Sequence, residues 1–329
     1  MQEEKVGILG LGAYVPERIM TNEDWSELVE TSDEWITKRT GIKTRRIAAK
    51  DQSTLDLAEQ AALEALKDAN LSPEDIDELV VATDTPEVYA PDTASYLQHR
   101  LGLRNVASYD LAGSGCAGFL QALDVAKCRV NEDRKRILVV GVELLTRLMN
   151  WEDRDTCVLF GDAAGAAVLS QGEGVSEILS TGAGTDGSKA DILCLETGGT
   201  RHPFSLEAAE RGDHYAVVMK GREVFKHAVH RMCEISSIVL SKAGASIDEV
   251  KLVIPHQANL RILEAVSNVM NLKEDQMYVN VDKYGNTGSA SVPLALVQAR
   301  QEGRFGKGDL VLLTSFGAGL HWASVLVKF

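Results

Sequence analysis

Ala65–Val81, ALKDANLSPEDIDELVV, and Leu240–Ile254, LSKAGASIDEVKLVI, repeat one succession: the end of a helix, a short turn with Asp, and a buried strand. Two further pairs follow in the same order. Ser108-Tyr-Asp-Leu, running through a small-residue loop into a helix, matches Val279-Asn-Val-Asp, running through Tyr284-Gly-Asn-Thr-Gly into the helix after Ser289. Arg136-Ile-Leu-Val-Val-Gly matches Asp309-Leu-Val-Leu-Leu-Thr. All three pairs lie about 170 residues apart, a constancy that one accidental similarity does not produce. The chain therefore reads as two related α/β halves, residues 1–172 and 173–329, divided at Ser170-Gln-Gly-Glu-Gly-Val175 where a strand gives way to turn residues.

The runs Leu79–Ala82, Ile137–Val142, Lys251–Ile254 and Leu310–Leu313 are continuous and rich in β-branched residues or leucine. Strands buried on both faces have this composition, so each half is expected to be a sheet covered by helices. Thr185–Asp213 is rich in glycine and polar residues and reads as a long loop excursion.

With 329 residues, 45% hydrophobic and 25% charged, the chain is long enough for two cores. A formal charge of −14 disfavours nonspecific nucleic-acid binding. No basic stretch precedes an apolar run at the N-terminus, and no apolar run reaches membrane-spanning length, which predicts a cytoplasmic protein without a membrane anchor. The five cysteines are widely spaced and form no CxxC pair, against both a disulfide framework and a structural zinc site.

Gly113-Ser114-Gly115-Cys116-Ala117-Gly118 lies between strand-like Val106–Leu111 and helical Phe119–Arg129. A thiol at a helix N-terminus gains from the free N–H groups and the positive dipole end, which favours the thiolate. The flanking small residues leave room for a substrate carbonyl. His256, in Pro255-His256-Gln257-Ala258-Asn259, follows a buried strand of the second half. Asn286 opens the loop equivalent to that of Cys116. If the halves pack about a pseudo-twofold axis, all three residues meet at the carboxyl ends of the strands. A lone cysteine is usually a small buried hydrophobe, a lone histidine is more often structural, and Asn286 could equally be a turn residue. His99, His202, His214 and His321 do not rise above that structural prior. His227 and His230 have the i, i+3 spacing of metal ligands without a third partner, and no metal site is expected.

The segments GCAGF, PHQANLRI, YGNTGSASVPLAL and SFGAGLHWASVL, in this order and spacing, closely resemble β-ketoacyl-acyl-carrier-protein synthase III of bacterial type II fatty acid synthesis, from Gly7 to Phe329. The resemblance implies a thiolase-like five-layer αβαβα sandwich of two duplicated halves, a homodimer, and a Cys116–His256–Asn286 triad. It implies transfer of an acyl group from coenzyme A to Cys116, then decarboxylative condensation with malonyl-acyl carrier protein. Neither a metal nor a redox cofactor is called for. Backbone N–H groups of Cys116 and Ala318 would form the oxyanion hole, although the family carries Gly where Ala318 stands. Coenzyme A would contact Thr31, Trp35, Arg39 and Arg154 at its nucleotide end, and Gly221, Ala258 and Asn259 along the pantetheine. Arg222, Lys226 and Arg261 would receive the acidic carrier protein. Ala90, Gly115 and Phe316 would border the acyl pocket. Ala90 stands where several members carry a bulky aromatic before a proline, which predicts starters longer than acetyl.

Gly10-Leu-Gly12 lacks the third glycine of a dinucleotide fingerprint and precedes Pro16; Phe160-Gly-Asp162-Ala-Ala-Gly165 lacks the Lys-Ser/Thr of a phosphate loop. The first reads as a strand-and-loop entrance, the second as a turn bordering the site. A thiolase would need a second cysteine near Phe316–His321, elongating synthases a histidine in place of Asn286, and a hydroxymethylglutaryl-CoA synthase a glutamate, for which the loop Thr83–Glu87 offers Glu87 as a candidate. A secondary-metabolite relative with the same triad remains the alternative.

Overall fold

The computed structural model describes residues 5–212 and 217–329; His214 and the end of the 185–213 excursion lie outside the described residues. The strands are β1 (Val6–Tyr14), β2 (Arg18–Thr21), β3 (Thr44–Ile47), β4 (Glu78–Ala82), β5 (Ala107–Leu111), β6 (Arg136–Leu144), β7 (Asp162–Gln171), β8 (Ser176–Thr185), β9 (Leu193–Leu195), β10 (Val217–Met219), β11 (Val250–Pro255), β12 (Leu310–Gly317) and β13 (His321–Lys328). Nine of them form one ladder in the order β11-β12-β13-β8-β1-β7-β6-β4-β5.

That order is a palindrome. In the first half β5, β4 and β6 are parallel, while β7 and β1 follow antiparallel. In the second half β11 and β12 are parallel, and β13 and β8 follow antiparallel. Met277 pairs in parallel with Val253, where β5 would have its counterpart. The halves join where Gly7 and Ile8 of β1 meet Glu177 and Ser176 of β8.

The repeated turn has one physical cause in both halves. Ser72 and Asp75 close a reciprocal capping box before β4; Ser246 and Glu249 close the same box before β11. Two orphan N–H groups are satisfied each time, which fixes the chain's entry into the strand.

Helices Thr54–Asp68 and Thr93–Leu101 cover the outer face of the first half's strands, and helix Gly221–Ala243 that of the second. Helices Gly118–Arg129 and Ser291–Gln301 lie between the two sets of strands and touch both. The result is five layers, α-β-α-β-α. Helix Thr54–Asp68 turns Leu57, Ala58, Ala61, Ala62 and Ala65 inward. Those small side chains let β1 approach so closely that a Cβ on Gly10 or Gly12 would overlap the helix backbone. The two glycines are there for strand-to-helix packing and not for a dinucleotide.

The excursion after Thr185 is more ordered than its composition predicts. Leu193–Leu195 and Val217–Met219 pair as an antiparallel ladder, and Ser205 caps the short helix Leu206–Glu210 by accepting from the Ala208 N–H. Elements of three to five residues are too short to show a hydrophobic period. No helix among the described residues is long and apolar enough to cross a membrane.

Candidate active site

Cys116 lies in the 3₁₀ turn Gly115–Ala117 that opens helix Gly118–Arg129. Its thiol points at the side-chain oxygen of Asn286, 3.9 Å away and 170 residues along the chain. Asn286 is fixed on every side: its N–H donates to Leu159 O at 2.8 Å, and its carbonyl accepts from Gly161 N at 2.9 Å. Its carboxamide oxygen also accepts from Gly288 N at 2.9 Å. With the oxygen so engaged, the carboxamide nitrogen is left to donate elsewhere. Asn286 is not left-handed, so its place in the loop is set by these hydrogen bonds and not by an αL turn.

His256 follows β11. Its N–H donates to Thr314 O at 2.8 Å, and the next residue of β12, Ser315, donates its hydroxyl to Cys116 O at 2.6 Å. The β11–β12 register therefore ties His256 and Cys116 to adjacent residues of β12. The imidazole is 2% exposed and its Nδ1 has no partner. Burial lowers its pKa to about 3, so the ring is neutral at physiological pH.

Ala318 follows β12, and its backbone touches that of the nucleophile turn. A Cβ on Gly115 would overlap Ala318 N, and one on Gly317 would overlap Cys116 N. Gly115 itself has φ +53°. The side toward which its side chain would point is filled by Ala318, so Gly115 acts as a close-approach residue rather than as an open wall of an acyl pocket. Phe316 is buried among Ile192, Leu320, Val224 and Met232, with Leu193 and Met219 of β9 and β10 against that cluster. Ala90 is exposed, beside Tyr89, which is 86% exposed.

The expectation of a ready thiolate meets opposing forces. Burial pushes the Cys116 thiol up, and Glu143 and Asp84 push it further where they are ionised; the Asn286 side chain and the residue's own N–H pull the other way. Helix-terminal stabilisation is about 0.3–1 kcal/mol near a surface, too little to overcome a buried site with two acids beside it. The resting form is the thiol. Those two acids left no mark in the sequence, because Glu143 ends an apolar strand and Asp84 starts a loop. Glu87 is committed elsewhere: its side chain accepts from the Leu55 N–H at the start of a helix.

Trp35 and Arg39 share helix Asp33–Thr40, and the Arg39 and Arg154 guanidinium carbons lie 5.3 and 5.0 Å from the Trp35 ring centroid. Thr31 Oγ1 is buried without a partner. Asn259 caps helix Leu260–Met270 and reaches Arg39 O at 3.5 Å, with Ala258 beside it. Gly221 begins helix Gly221–Ala243, exposed; Arg222 and Lys226 on that helix and Arg261 on Leu260–Met270 are exposed and make no ion pair among the described residues. The two helices pack together. In the stretch expected as a turn bordering the site, Gly161 bonds Asn286 but Asp162 already begins β7, a structural hub accepting from Ala48 N, Thr146 N and the Thr146 hydroxyl. Among the described residues no three His, Cys, Asp or Glu side chains converge as a metal site would.

Comparison with known proteins agrees with this geometry. A family described as 3-oxoacyl-[acyl-carrier-protein (ACP)] synthase III matches residues 109–187, and the C-terminal part of the same family matches 240–329. A beta-ketoacyl-[acyl-carrier-protein] synthase III of Caldanaerobacter subterraneus is 48% identical over 98% of this chain and 97% of its own. The crystal structure of 3-oxoacyl-[acyl-carrier-protein] synthase III from Aquifex aeolicus superposes with a TM-score of 0.90 at 44% identity, over 98% of this chain and 100% of that one. A Thermus thermophilus beta-ketoacyl-[acyl carrier protein] synthase III gives 0.89 at 44%, over 98% and 99%.

Proposed function

The chain belongs to the 3-oxoacyl-[acyl-carrier-protein] synthase III family, and we infer that it is the acyltransferase that opens fatty acid synthesis, condensing an acyl-CoA with malonyl-acyl carrier protein to a β-ketoacyl-acyl carrier protein. We assign the chemistry to Cys116, His256 and Asn286. The observation that carries this assignment is the Cys116–Asn286 contact, with the Asn286 oxygen engaged by Cys116 and Gly288 and no hydrogen bond from its nitrogen among the described residues.

In the first half-reaction the Cys116 sulfur attacks the thioester carbonyl. The C–S bond to coenzyme A breaks, and the proton of the thiol leaves with the coenzyme A sulfur. The tetrahedral oxyanion is held by the N–H groups of Cys116 and Ala318, each donor of this kind contributing about 10²–10³ in rate. The methyl group of Ala318, where the family has Gly, leaves that N–H intact. In the second half-reaction the malonyl C–C bond breaks, CO₂ departs, and the electron pair remains as a thioester enolate. Neutral His256 and the Asn286 carboxamide donate to its oxygen. The enolate carbon then attacks the acyl-cysteine, and the Cys116 sulfur leaves as thiolate and takes up from solvent the one proton that the overall reaction consumes. This sequence calls for no metal or redox cofactor.

Trp35 and Arg154 are suited to hold an adenine between them, with Thr31 offering its unpartnered hydroxyl and Arg39 its charge to the phosphates. Gly221, Ala258 and Asn259 are assigned to the pantetheine path. Arg222, Lys226 and Arg261, exposed and without an ion pair among the described residues, suit an acidic carrier protein. The homodimer is supported by the outer edge of β5, which has no strand partner among the described residues, and by exposed Tyr89 beside Ala90. We place the enzyme in the cytoplasm.

The test is mass-spectrometric detection of acyl-Cys116, followed by product analysis with malonyl-acyl carrier protein and with malonyl-CoA. Acylation followed by β-ketoacyl-acyl carrier protein is expected. Turnover with malonyl-CoA alone would instead favour a secondary-metabolite role.

A further inference from the structure

Glu143, next to last in β6, is 1% exposed in a strand that is otherwise apolar at this end. Four hydrogen bonds from three donor groups converge on it. The Ser289 hydroxyl donates to one carboxyl oxygen at 2.9 Å and the Thr85 hydroxyl to the other at 2.7 Å, while the Asp84 N–H lies 3.1 and 3.3 Å from the two. A buried carboxyl is costly, and burial beside Asp84 raises this one to about 8. The fold tolerates that cost at a place where the two halves meet.

The contacts lead in two directions. Toward the second half, Glu143 Cγ packs on Gly288, whose left-handed backbone (φ +56°) has no room for a Cβ against it. Gly288 N is the donor that fixes the Asn286 carboxamide, and Ser289, the next residue, is held by Glu143 and by Ala82 O at 3.0 Å. Toward the first half, Glu143 secures the backbone of Asp84, whose side chain accepts the N–H of Gly113 at 2.8 Å in the nucleophile loop. Glu143 touches none of the three catalytic side chains through a hydrogen bond. It joins the loops that carry two of them.

We propose that Glu143 is a positioning residue for the decarboxylative half-reaction: acting through Gly288 and Ser289, it holds the Asn286 carboxamide where its nitrogen meets the malonyl enolate. The proposal rests on the function inferred above. Acylation depends on it far less, because the Cys116 turn is also held by Ser315 and by the Gly115–Ala318 and Gly317–Cys116 contacts, none of which involves Glu143.

The test uses the full-length enzyme as wild type, Glu143→Ala, Glu143→Gln, Ser289→Ala and the Glu143→Ala/Ser289→Ala double variant. Acylation of Cys116 by labelled acyl-CoA and CO₂ release from malonyl-acyl carrier protein by the pre-acylated enzyme are followed separately. Glu143→Ala and Ser289→Ala are each expected to lower kcat for CO₂ release at least tenfold, with the malonyl-carrier KM and the acylation rate changed less than threefold. Glu143→Gln keeps an oxygen for Ser289 and should recover to within threefold of wild type. The double variant should be no worse than the poorer single one, since both remove one linkage. If Glu143→Ala does not fold, Ser289→Ala and Glu143→Gln carry the same comparison. Equal losses in both half-reactions, additive losses in the double variant, or undiminished CO₂ release overturns the proposal. A wild-type enzyme that acylates but releases no CO₂ overturns the inferred reaction instead, and that result is visible before any variant is compared.

Discussion

Gly115 and Ala318 belong to opposite halves of the duplication, yet the left-handed backbone of the first lies so close to the amide of the second that no side chain fits between them. The oxyanion hole proposed for the Cys116 and Ala318 amides would therefore depend on a missing methyl group as much as on the groups present.

Gly115→Ala should lose twice over. The left-handed conformation costs a non-glycine residue about 1–2 kcal/mol, and the new Cβ displaces the Ala318 N–H. Acylation is expected to fall at least a hundredfold, the worth of one oxyanion donor, with a melting temperature a few degrees lower. Gly102→Ala, at φ +71° with open space around it, controls for strain alone and should lower the melting temperature without slowing acylation. Mass spectrometry of the acyl-enzyme and thermal unfolding read both effects.

His256→Ala and Asn286→Ala should still acylate but lose about 10²–10³ each in CO₂ release, whereas Cys116→Ala acylates not at all. The pH dependence has a definite sign. Burial lowers the His256 pKa in the folded protein to about 3, below the ordinary value of 6.5, so between those values the unfolded chain binds the proton and the folded one does not. Stability present above pH 6.5 is thus lost as the pH falls toward 3. His256→Gln removes this share, so the difference in urea midpoint between pH 7 and pH 5 should shrink in the variant. An unchanged difference would mean that the ring is not buried neutral.

Trp35→Ala or Arg154→Ala should raise the acyl-CoA KM about tenfold, as loss of a stacking and cation–π partner does, and leave the malonyl-carrier KM within twofold. Lys226→Glu with Arg261→Glu should do the reverse. Steady-state titration of both substrates separates the two surfaces; equal effects on both would place these residues on a shared path.

Ala90→Phe should shift starter preference toward acetyl-CoA. Without an aromatic at this position, each further methylene accommodated in a dry pocket adds about 0.8 kcal/mol to binding, so wild type should prefer branched or medium-chain starters. Ratios of kcat/KM for acetyl-, isobutyryl-, hexanoyl- and octanoyl-CoA decide it. A strict acetyl preference in both proteins would mean that another group closes the pocket.

The duplication was legible because a repeated turn, strand and loop-to-helix segment leaves a pattern at constant separation, and pseudo-symmetry then brings Cys116 and Asn286 together. Local pattern reports nothing of what surrounds a side chain after folding. Reading Cys116 as a helix-terminal thiol captured the dipole but not Glu143 and Asp84, which enter from strands and loops distant in sequence. Arg45 shows the same limit. In Thr-Arg-Arg-Ile it looks like a surface residue of a short strand, yet it is 0% exposed, bonded to Asn22 and Val158 O beneath the Asn286 loop. Gly115 looked like space for an acyl chain because its neighbour Ala318 lies two hundred residues away.

The pairing of Cys116 with β12 also sets an order of events in biosynthesis. Ser315, which anchors the Cys116 carbonyl, lies 199 residues downstream, and Ala318 follows it. A ribosome adding about 5–20 residues per second needs on the order of ten seconds or more to make that stretch. For most of that interval the nascent first half carries Cys116 before His256 and Asn286 have been made, and to its end the Cys116 carbonyl lacks its Ser315 anchor. On the proposed roles of these residues, competence to take an acyl group would therefore appear only when the late strands dock.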